Sequence, residues 1–294
     1  MTALQGTTRT AVYGASTLVV GAALFDAIVM SRAIGLTPLD VASARARARG
    51  IGLVAASVLL VAYLTRLYLQ VIDSFLVAVP SAEMLRQLFF LTRDWGHGML
   101  AQIVISALVL CLLLYARRAR SAALGVIAVT APMAALSVPL TGHAVAHAGS
   151  IAVAAQATHV FAAGGWLGTL SVLWLIGRRE QSTANLASIV HAFSPVALTS
   201  AGLLGCAGAA TYFLHVGRLD QLLTTAYGLV LVTKIAVFFS AAGVGYVNWK
   251  HLTPRLMEGG QRARFSQAAA LEISLAIVAI MLTAVLTNLP QPGE

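Results

Sequence analysis

The sequence predicts an all-α integral membrane protein, a single polytopic domain over residues 1–294 built as a bundle of about eight transmembrane helices. The chain is 59% apolar and only 10% charged, with a mean hydropathy of +0.86, whereas about 25% of the residues in a soluble domain are charged. The apolar residues form runs of roughly 20 residues, the length that spans a bilayer. The charged residues cluster in short connections, which leaves the lipid-facing surface free of charge.

Eight apolar runs are long enough to cross the membrane. In chain order they are Ala11–Ile34, Arg49–Val71, Trp95–Ala116, Ala122–Thr141, Ile151–Gly177, Ala192–Leu214, Leu222–Trp249 and Gln267–Leu289. Pro132 and Pro139 interrupt the fourth run, which makes it the weakest of the eight, although neighbouring helices can re-satisfy the carbonyls that a proline frees. Between the second and third runs, Asp73–Asp94 mixes apolar and charged residues and predicts a short amphipathic segment at the membrane interface.

The distribution of Lys and Arg predicts the orientation of the bundle. Of the 19 basic residues, thirteen lie in the connections after runs one, three, five and seven, four lie on the opposite side, and Arg66 and Lys234 lie within runs. Positive charge is retained on the cytoplasmic side of a membrane. We therefore expect both termini to be extracytoplasmic.

Several other classes of protein fit the sequence poorly. The formal charge of +9 does not indicate nucleic-acid binding, because no basic stripe with interleaved aromatic residues occurs. Cys111 and Cys206 lie in apolar runs, so no disulfide framework is expected, and the first run lacks a cleavage motif and is expected to be retained. No P-loop, HExxH or nucleophile-elbow motif is present, and we expect no enzyme activity.

Histidines concentrate at the outer face of the predicted bundle. His143 and His147 have the i, i+4 spacing that places two rings on one side of a helix, where they can share a metal. Their segment, TGHAVAHAG, carries no charged residue that would repel a cation, and neutral imidazole suits copper and zinc. The predicted ligands are His97, His143, His147, His159 and His215, whereas His191 and His251 fall at the cytoplasmic end.

Further polar and sulfur-containing residues extend this prediction. Asp94 and Met99 lie beside His97 and could complete the metal site. Charged residues inside spans are costly and by default face the bundle interior or a pathway, and soft sulfur binds Cu(I). The predicted pathway residues are Asp26, Met133, Cys206, Lys234, Glu272 and Met281. The alternatives are structural pairing of the deep charges, an interfacial position for Glu272, and ordinary core packing by the Met and Cys side chains.

The second half of the chain resembles a known family. The motifs are TGHA at 141–144, His159 followed by GGWLG at 164–168, FSPVAL at 193–198, TTAYGLVLVTK at 224–234, VNWKHLTPRL at 247–256 and LE at 271–272. In this order they resemble the signature of the CopD/PcoD copper-resistance membrane proteins. The resemblance covers about residues 141–290, and the first half matches only in its apolar pattern.

The resemblance implies a role in copper homeostasis at the bacterial inner (plasma) membrane. It implies movement of copper toward the cytoplasm, often with a small periplasmic copper-binding partner, CopC. The chain contains no fused domain of that kind, so we expect such a partner to be a separate chain. By position, His143 and His159 match the family's histidines, and Lys234 and Glu272 match its intramembrane polar residues.

The sequence therefore predicts a membrane protein that captures copper, or zinc as the alternative metal, at a periplasmic-face histidine cluster and passes it inward. Its expected partners are the copper ion, a CopC-like protein and the lipid bilayer, but not nucleic acid. Two alternatives remain. One is a cytochrome-b-like redox protein that binds haem through His97 and His159, and the other is a metal-binding accessory protein that does not transport.

Overall fold

Apolar runs fold as helices throughout the part of the chain that the structure, a computed structural model, describes. That part comprises residues 3–76, 79, 81–91, 93–118, 123–141, 143–180, 182–215, 221–258, 260–287 and 289. Within these ranges there is no β-strand. The predicted all-α membrane protein with about eight helices is confirmed.

We number the helices in chain order. They are α1 at residues 3–32, α2 at Pro38–Phe75, α3 at Ala82–Leu91, α4 at Arg93–Arg118, α5 at residues 123–140, α6 at residues 143–177, α7 at Thr183–His215, α8 at residues 226–257 and α9 at Arg262–Leu286. A short helical turn, Gln221–Thr224, precedes α8. Three helices contain a π-helical turn: Phe25–Val29 in α1, Gly164–Gly168 in α6 and Asn248–Leu252 in α8.

Seven helices in the described ranges are long and apolar enough to cross a membrane by length and composition. They are α1, α2, α4, α6, α7, α8 and α9. An eighth apolar stretch, Leu124–Leu140 in α5, is shorter. It corresponds to the run that two prolines interrupt, and its last residues, Val138–Leu140, tighten into a 3₁₀ turn around Pro139, since proline cannot donate the hydrogen bond that continues an α-helix.

Helices α1 and α6 occupy the centre of the bundle. In their membrane-spanning windows 67% and 72% of the residues are buried, against 11% in α8. The two central helices cross at glycines: a Cβ added to Gly168 would lie 2.1 Å from the carbonyl oxygen of Thr17, and one added to Gly21 would lie 2.1 Å from the carbonyl carbon of Gly168. Their backbones touch there. Gly164 and Gly168 have the GxxxG spacing that lets two helices approach this closely.

Local sequence explains where α2 begins. Thr37 accepts a hydrogen bond from the backbone N–H of Asp40, the Asp40 carboxylate accepts one from the backbone N–H of Thr37, and Pro38 occupies the first turn. This capping box satisfies amide groups that the helix itself leaves unpaired. It fixes the entry of the helix that carries Arg45 and Arg49.

The segment predicted to be amphipathic contains the short helix α3. Leu88 is buried, while Glu83 and Arg86 are exposed and form an ion pair with an N–O distance of 2.9 Å. One side of α3 is thus apolar and packed and another is charged. This confirms its amphipathic character, and its position at the interface stays a prediction.

Candidate functional site

The start of α4, the end of α5 and the start of α6 meet at one corner of the bundle, on the side that is predicted to face outward. Gln102 of α4 donates a hydrogen bond to the carbonyl oxygen of Val138 at 3.0 Å and another to the hydroxyl of Thr141 at 3.2 Å. A Cβ on Gly98 would lie 2.0 Å from the carbonyl oxygen of Leu140, so α4 approaches the end of α5 at backbone distance. Thr141 opens the TGHA motif, and α6 begins at His143, so the chain segments that carry His97 and His143 lie at this corner.

The structure leaves the histidine cluster itself as a prediction. The side chains of Asp94, His143, His147 and His215 lie outside the described part of the chain. His97 is exposed, whereas Met99, two residues further along the same helix, is fully buried. Residues i and i+2 of a helix do not face each other, so Met99 and His97 point to different surroundings. Among the side chains that are described, no group of three His, Cys, Asp or Glu residues could hold a metal ion.

His159 lies inside the bundle between α6 and α7. A Cβ added to Gly208 of α7 would lie 3.5 Å from Cε1 and 3.7 Å from Nδ1 of the imidazole, which is van der Waals contact, so α7 packs against the ring at this glycine. Nδ1 is buried and has no hydrogen-bond partner among the described residues. The Lys234 side chain of α8 is close enough to interact electrostatically with the ring. A buried imidazole nitrogen without a described hydrogen-bond partner is a candidate ligand position.

The depths of His97 and His159 disfavour a haem site. His97 lies in the second turn of α4, while His159 lies ten residues, about 15 Å along the axis, beyond the kink at Gly149 in α6. A bis-histidine haem needs two imidazoles at one level, on opposite sides of the iron.

Glu272 forms a second polar site in the half of the bundle that is predicted to be cytoplasmic. Its side chain is only 2% exposed. Its Oε1 accepts a hydrogen bond from the indole N–H of Trp166 at 2.6 Å, and its carboxylate is also hydrogen-bonded to the Asn248 side chain. Oδ1 of Asn248 is buried and has no hydrogen-bond partner among the described residues. A Cβ on Gly245 would lie 3.0 Å from Oε1, so glycine is needed for the close approach of α8.

These residues border a cavity of about 230 Å³ between α6, α7, α8 and α9. Trp166 and Asn248 each belong to a π-helical turn, a local widening that occurs frequently at functional sites. The rest of the lining is mainly apolar and aromatic, with the hydroxyls of Ser194, Tyr246 and Thr253.

Asp26 is paired differently from the other deep charges. The Nε of Arg49 donates to its Oδ2 at 2.6 Å, and the Nε of Arg45 lies 3.6 Å from its Oδ1. The Arg49 guanidinium also donates to the carbonyl oxygen of Ala116. Asp26 therefore ties α1 to α2 and α4, and its ion-pair partners come from α2, not from Lys234.

The predicted pathway residues that contain sulfur lie in different surroundings. Cys206 and Met281 are exposed on the surface of the bundle, with Met281 54% exposed, and Met133 is half-buried against the core.

The sequence analysis did not predict three residues of these sites, which are Trp166, Asn248 and Gln102. Trp166 and Asn248 stand within the GGWLG and VNWKHLTPRL motifs, so a signal was present, but only the fold reveals that both bind Glu272. Gln102 stands in an apolar run, where a single amide with no charged neighbour marks a buried hydrogen bond.

Two family models match the chain. The model described as copper resistance protein D-like, N-terminal domain, matches residues 1–154, and the model described as copper resistance protein D matches residues 187–286. The first match covers more than half of the 294 residues and lies in the half where the sequence motifs had indicated only an apolar pattern.

The chain is also similar to curated copper proteins. It is 26% identical over 238 residues to copper resistance protein D of Pseudomonas syringae pv. tomato, with 76% of each chain covered. It is 29% identical over 163 residues to copper transport protein CutJ of Bacillus subtilis (strain 168), with 54% of this chain covered. The match spans 29% of the length of CutJ. No solved structure matches the chain.

Proposed function

This chain belongs to the copper resistance protein D family, and we propose that it captures copper at the periplasmic ends of its helices and passes it across the bacterial inner membrane toward the cytoplasm. The observation that carries the proposal is the imidazole of His159, whose Nδ1 is buried and has no described hydrogen-bond partner. A buried polar atom without a partner costs free energy, and the neutral imidazole nitrogen is a good copper ligand. Copper bound at Nδ1 would offset this cost.

The capture site in this proposal lies above His159. We assign it to His97, His143, His147 and His215, with Asp94 as a further ligand. Met99 has weaker support, because it is fully buried whereas His97 is exposed. Its support is the convergence of the segments that carry His97 and His143 at the corner where Gln102 holds Thr141. A CopC-like periplasmic protein would deliver copper to this corner, and zinc is the alternative metal.

The inward route in this proposal passes Lys234 and then Glu272. Lys234 lies beside His159, and Glu272 lies buried at a cavity in the cytoplasmic half. Support for the other pathway candidates is weaker. The charge of Asp26 is neutralised by Arg49, Cys206 and Met281 are exposed on the outside of the bundle, and Met133 packs against the core.

Copper and zinc binding to single His→Ala variants tests the capture site. We expect severe loss of copper affinity for His97, His143, His147 and His159, because each removes a ligand. The matched controls are His191→Ala and His251→Ala, whose side chains are exposed near the cytoplasmic ends of α7 and α8. Parent-like affinity in His97→Ala, His143→Ala and His147→Ala would remove the capture site, and parent-like affinity in His159→Ala would remove the inner ligand. Equal losses in the two controls would place the metal site elsewhere.

Uptake of copper into proteoliposomes separates transport from simple binding. A transporter accumulates copper inside the vesicles, and the His159→Ala variant should not. Binding without uptake would identify a metal-binding accessory protein. An optical spectrum of the purified protein tests the haem alternative, because bis-histidine haem is strongly coloured.

A further inference from the structure

Glu272 is a buried carboxylate without a counter-charge. No Lys, Arg or His nitrogen forms an ion pair with it among the described residues, and its hydrogen bonds come from two neutral groups, the Trp166 indole and the Asn248 amide. An unpaired ionised carboxylate in a membrane interior costs several kcal/mol or neutralises itself by taking up a cation or a proton. The arrangement around Glu272 therefore requires a positive charge that the protein does not supply.

The donor atoms at this cavity suit a proton better than copper. The available ligands are carboxylate oxygens and the unpaired Oδ1 of Asn248. Cu(I) prefers thioether, thiolate or imidazole, and no Met, Cys or His among the described residues lines the cavity. The hydroxyls of Ser194 and Thr253 donate to backbone carbonyls. A proton needs only one carboxylate oxygen and one neighbouring acceptor, which Glu272 and Oδ1 of Asn248 supply.

Asn248 can satisfy both protonation states of Glu272. An amide carries two N–H donors and a carbonyl acceptor, so Nδ2 can donate to the ionised carboxylate. After rotation of the amide, Oδ1 can accept the O–H of the carboxylic acid. Trp166, by contrast, only donates. One fixed donor and one reversible partner make a site that holds a proton and releases it.

The geometry points to Glu272 and Asn248 as the proton-binding site that couples copper movement to pH, an inference that rests on the proposed function. One proton adds to a carboxylate oxygen to give the neutral acid, whose O–H is donated to Asn248, and the same proton leaves to regenerate the carboxylate. No electron transfer or further reactant is involved. The titratable group that shares the cavity lining is Tyr246, whose hydroxyl accepts a hydrogen bond from exposed Lys250 at 2.9 Å. Lys234 lies fourteen residues before Asn248 on α8, about 21 Å along the axis.

Proteoliposomes with a trapped pH-sensitive dye test the coupling. In the parent protein we expect copper addition to trigger a pH change and copper uptake to vary with pH. Glutamine has nearly the shape of the neutral acid but cannot bind or release the proton. In Glu272→Gln the copper-triggered pH change should therefore be lost, and uptake should become independent of pH. Glu258→Gln, an exposed carboxylate near the cytoplasmic end of α8, is the matched control and should behave like the parent.

Two further variants guard against simple misfolding. Asn248→Leu removes the reversible partner but leaves Glu272, and it should shift the pH at which uptake is half-maximal. Gly245→Ala places a Cβ 3.0 Å from Oε1 of Glu272 and should also shift the pH at which uptake is half-maximal. Difference infrared spectra of the parent should show a protonated carboxyl band that titrates and that Glu272→Gln abolishes, which is a readout independent of transport.

The outcomes separate this inference from the function on which it rests. No copper uptake by the parent protein would overturn the proposed function, whereas the infrared titration would still report on the proton site. Normal uptake with the parent's pH dependence retained in Glu272→Gln would overturn the proton site alone. Uptake driven by a sodium gradient, and lost in Glu272→Gln, would assign the carboxylate to sodium and also contradict the inference.

Discussion

Two buried carboxylates in this protein illustrate how single residues acquire different roles. Asp26 and Glu272 are 0% and 2% exposed. The first is held by the guanidinium of Arg49, whereas the second meets only neutral donors and a cavity. Removing one partner of a buried ion pair leaves an uncompensated charge, so Asp26 has the surroundings of a structural residue. Glu272 has the surroundings of a group that exchanges a proton.

Asp26→Asn should lower the free energy of unfolding by about 3 kcal/mol or more, because Arg49 loses its buried partner. Thermal unfolding in detergent measures the change. The double variant Asp26→Asn/Arg49→Met should be less destabilised than Asp26→Asn, since it removes the charge of Arg49 together with its partner and leaves only the more distant Arg45 without the carboxylate. Glu83→Gln, which breaks an exposed pair, is the control and should melt like the parent. A parent-like melting temperature for Asp26→Asn combined with lost copper uptake would instead place Asp26 in the pathway.

At the scale of the helices, close packing and π-helical turns position the functional groups. Gly21 and Gly168 let α1 and α6 touch, which fixes the helix that carries His159 and Trp166. The π-helical turns at Gly164–Gly168 and Asn248–Leu252 each insert an extra residue, and Trp166 and Asn248 project from them toward Glu272. The motifs GGWLG and VNWKHLTPRL thus correspond to two irregular turns that share one carboxylate.

Gly168→Ala should destabilise the bundle, because the added Cβ would lie 2.1 Å from the Thr17 carbonyl oxygen and the backbones would have to separate. Overpacking of this kind costs about 1–3 kcal/mol. The matched control is Gly202→Ala in α7, where nothing lies within 4 Å of the added Cβ and the better helix propensity of alanine applies. Melting temperatures of the two variants should differ clearly. Equal values would show that α1 and α6 do not rely on this contact.

At the scale of the whole molecule, the orientation of the bundle in the membrane decides the role of each site. The corner that carries His97 and His143 is a capture site only if it faces the periplasm. The basic residues that predict this orientation include Arg45, Arg49 and Arg262, and the structure places them at one end of the bundle with Asp26 and the carbonyl oxygens of Gly177 and Glu180.

Fusion of a reporter to the C-terminus tests the orientation. A reporter active only in the cytoplasm should stay silent, because both termini are predicted to be extracytoplasmic. A reporter that requires export should be active at the same position, and a fusion after Gly177, in a predicted cytoplasmic connection, should give the opposite pattern. A bright cytoplasmic signal from the C-terminal fusion would place the histidine corner on the inner side and reverse the proposed direction of capture.

The sequence by itself determined the membrane class, the helices and the copper-resistance family. The length of the apolar runs and their lack of charged residues follow directly from the absence of water in the bilayer. Both features can be recognised in the sequence without knowing which helices are in contact. The motifs from TGHA to the LE at 271–272 indicated copper, and the family matches agree. Candidate residues such as His159 and Glu272 could be named because ionisable groups are rare in such runs.

Only the tertiary structure decided which of these residues meet. It paired Asp26 with Arg49, placed Lys234 near His159, and brought Trp166 and Asn248 to Glu272. Each of these contacts joins different helices, and one sequence carries no information on the rotation and neighbours of a helix that is apolar on nearly every side. Pairing across the bundle is set by close packing at glycines and by the cost of leaving buried charge unpaired, and both depend on the whole fold.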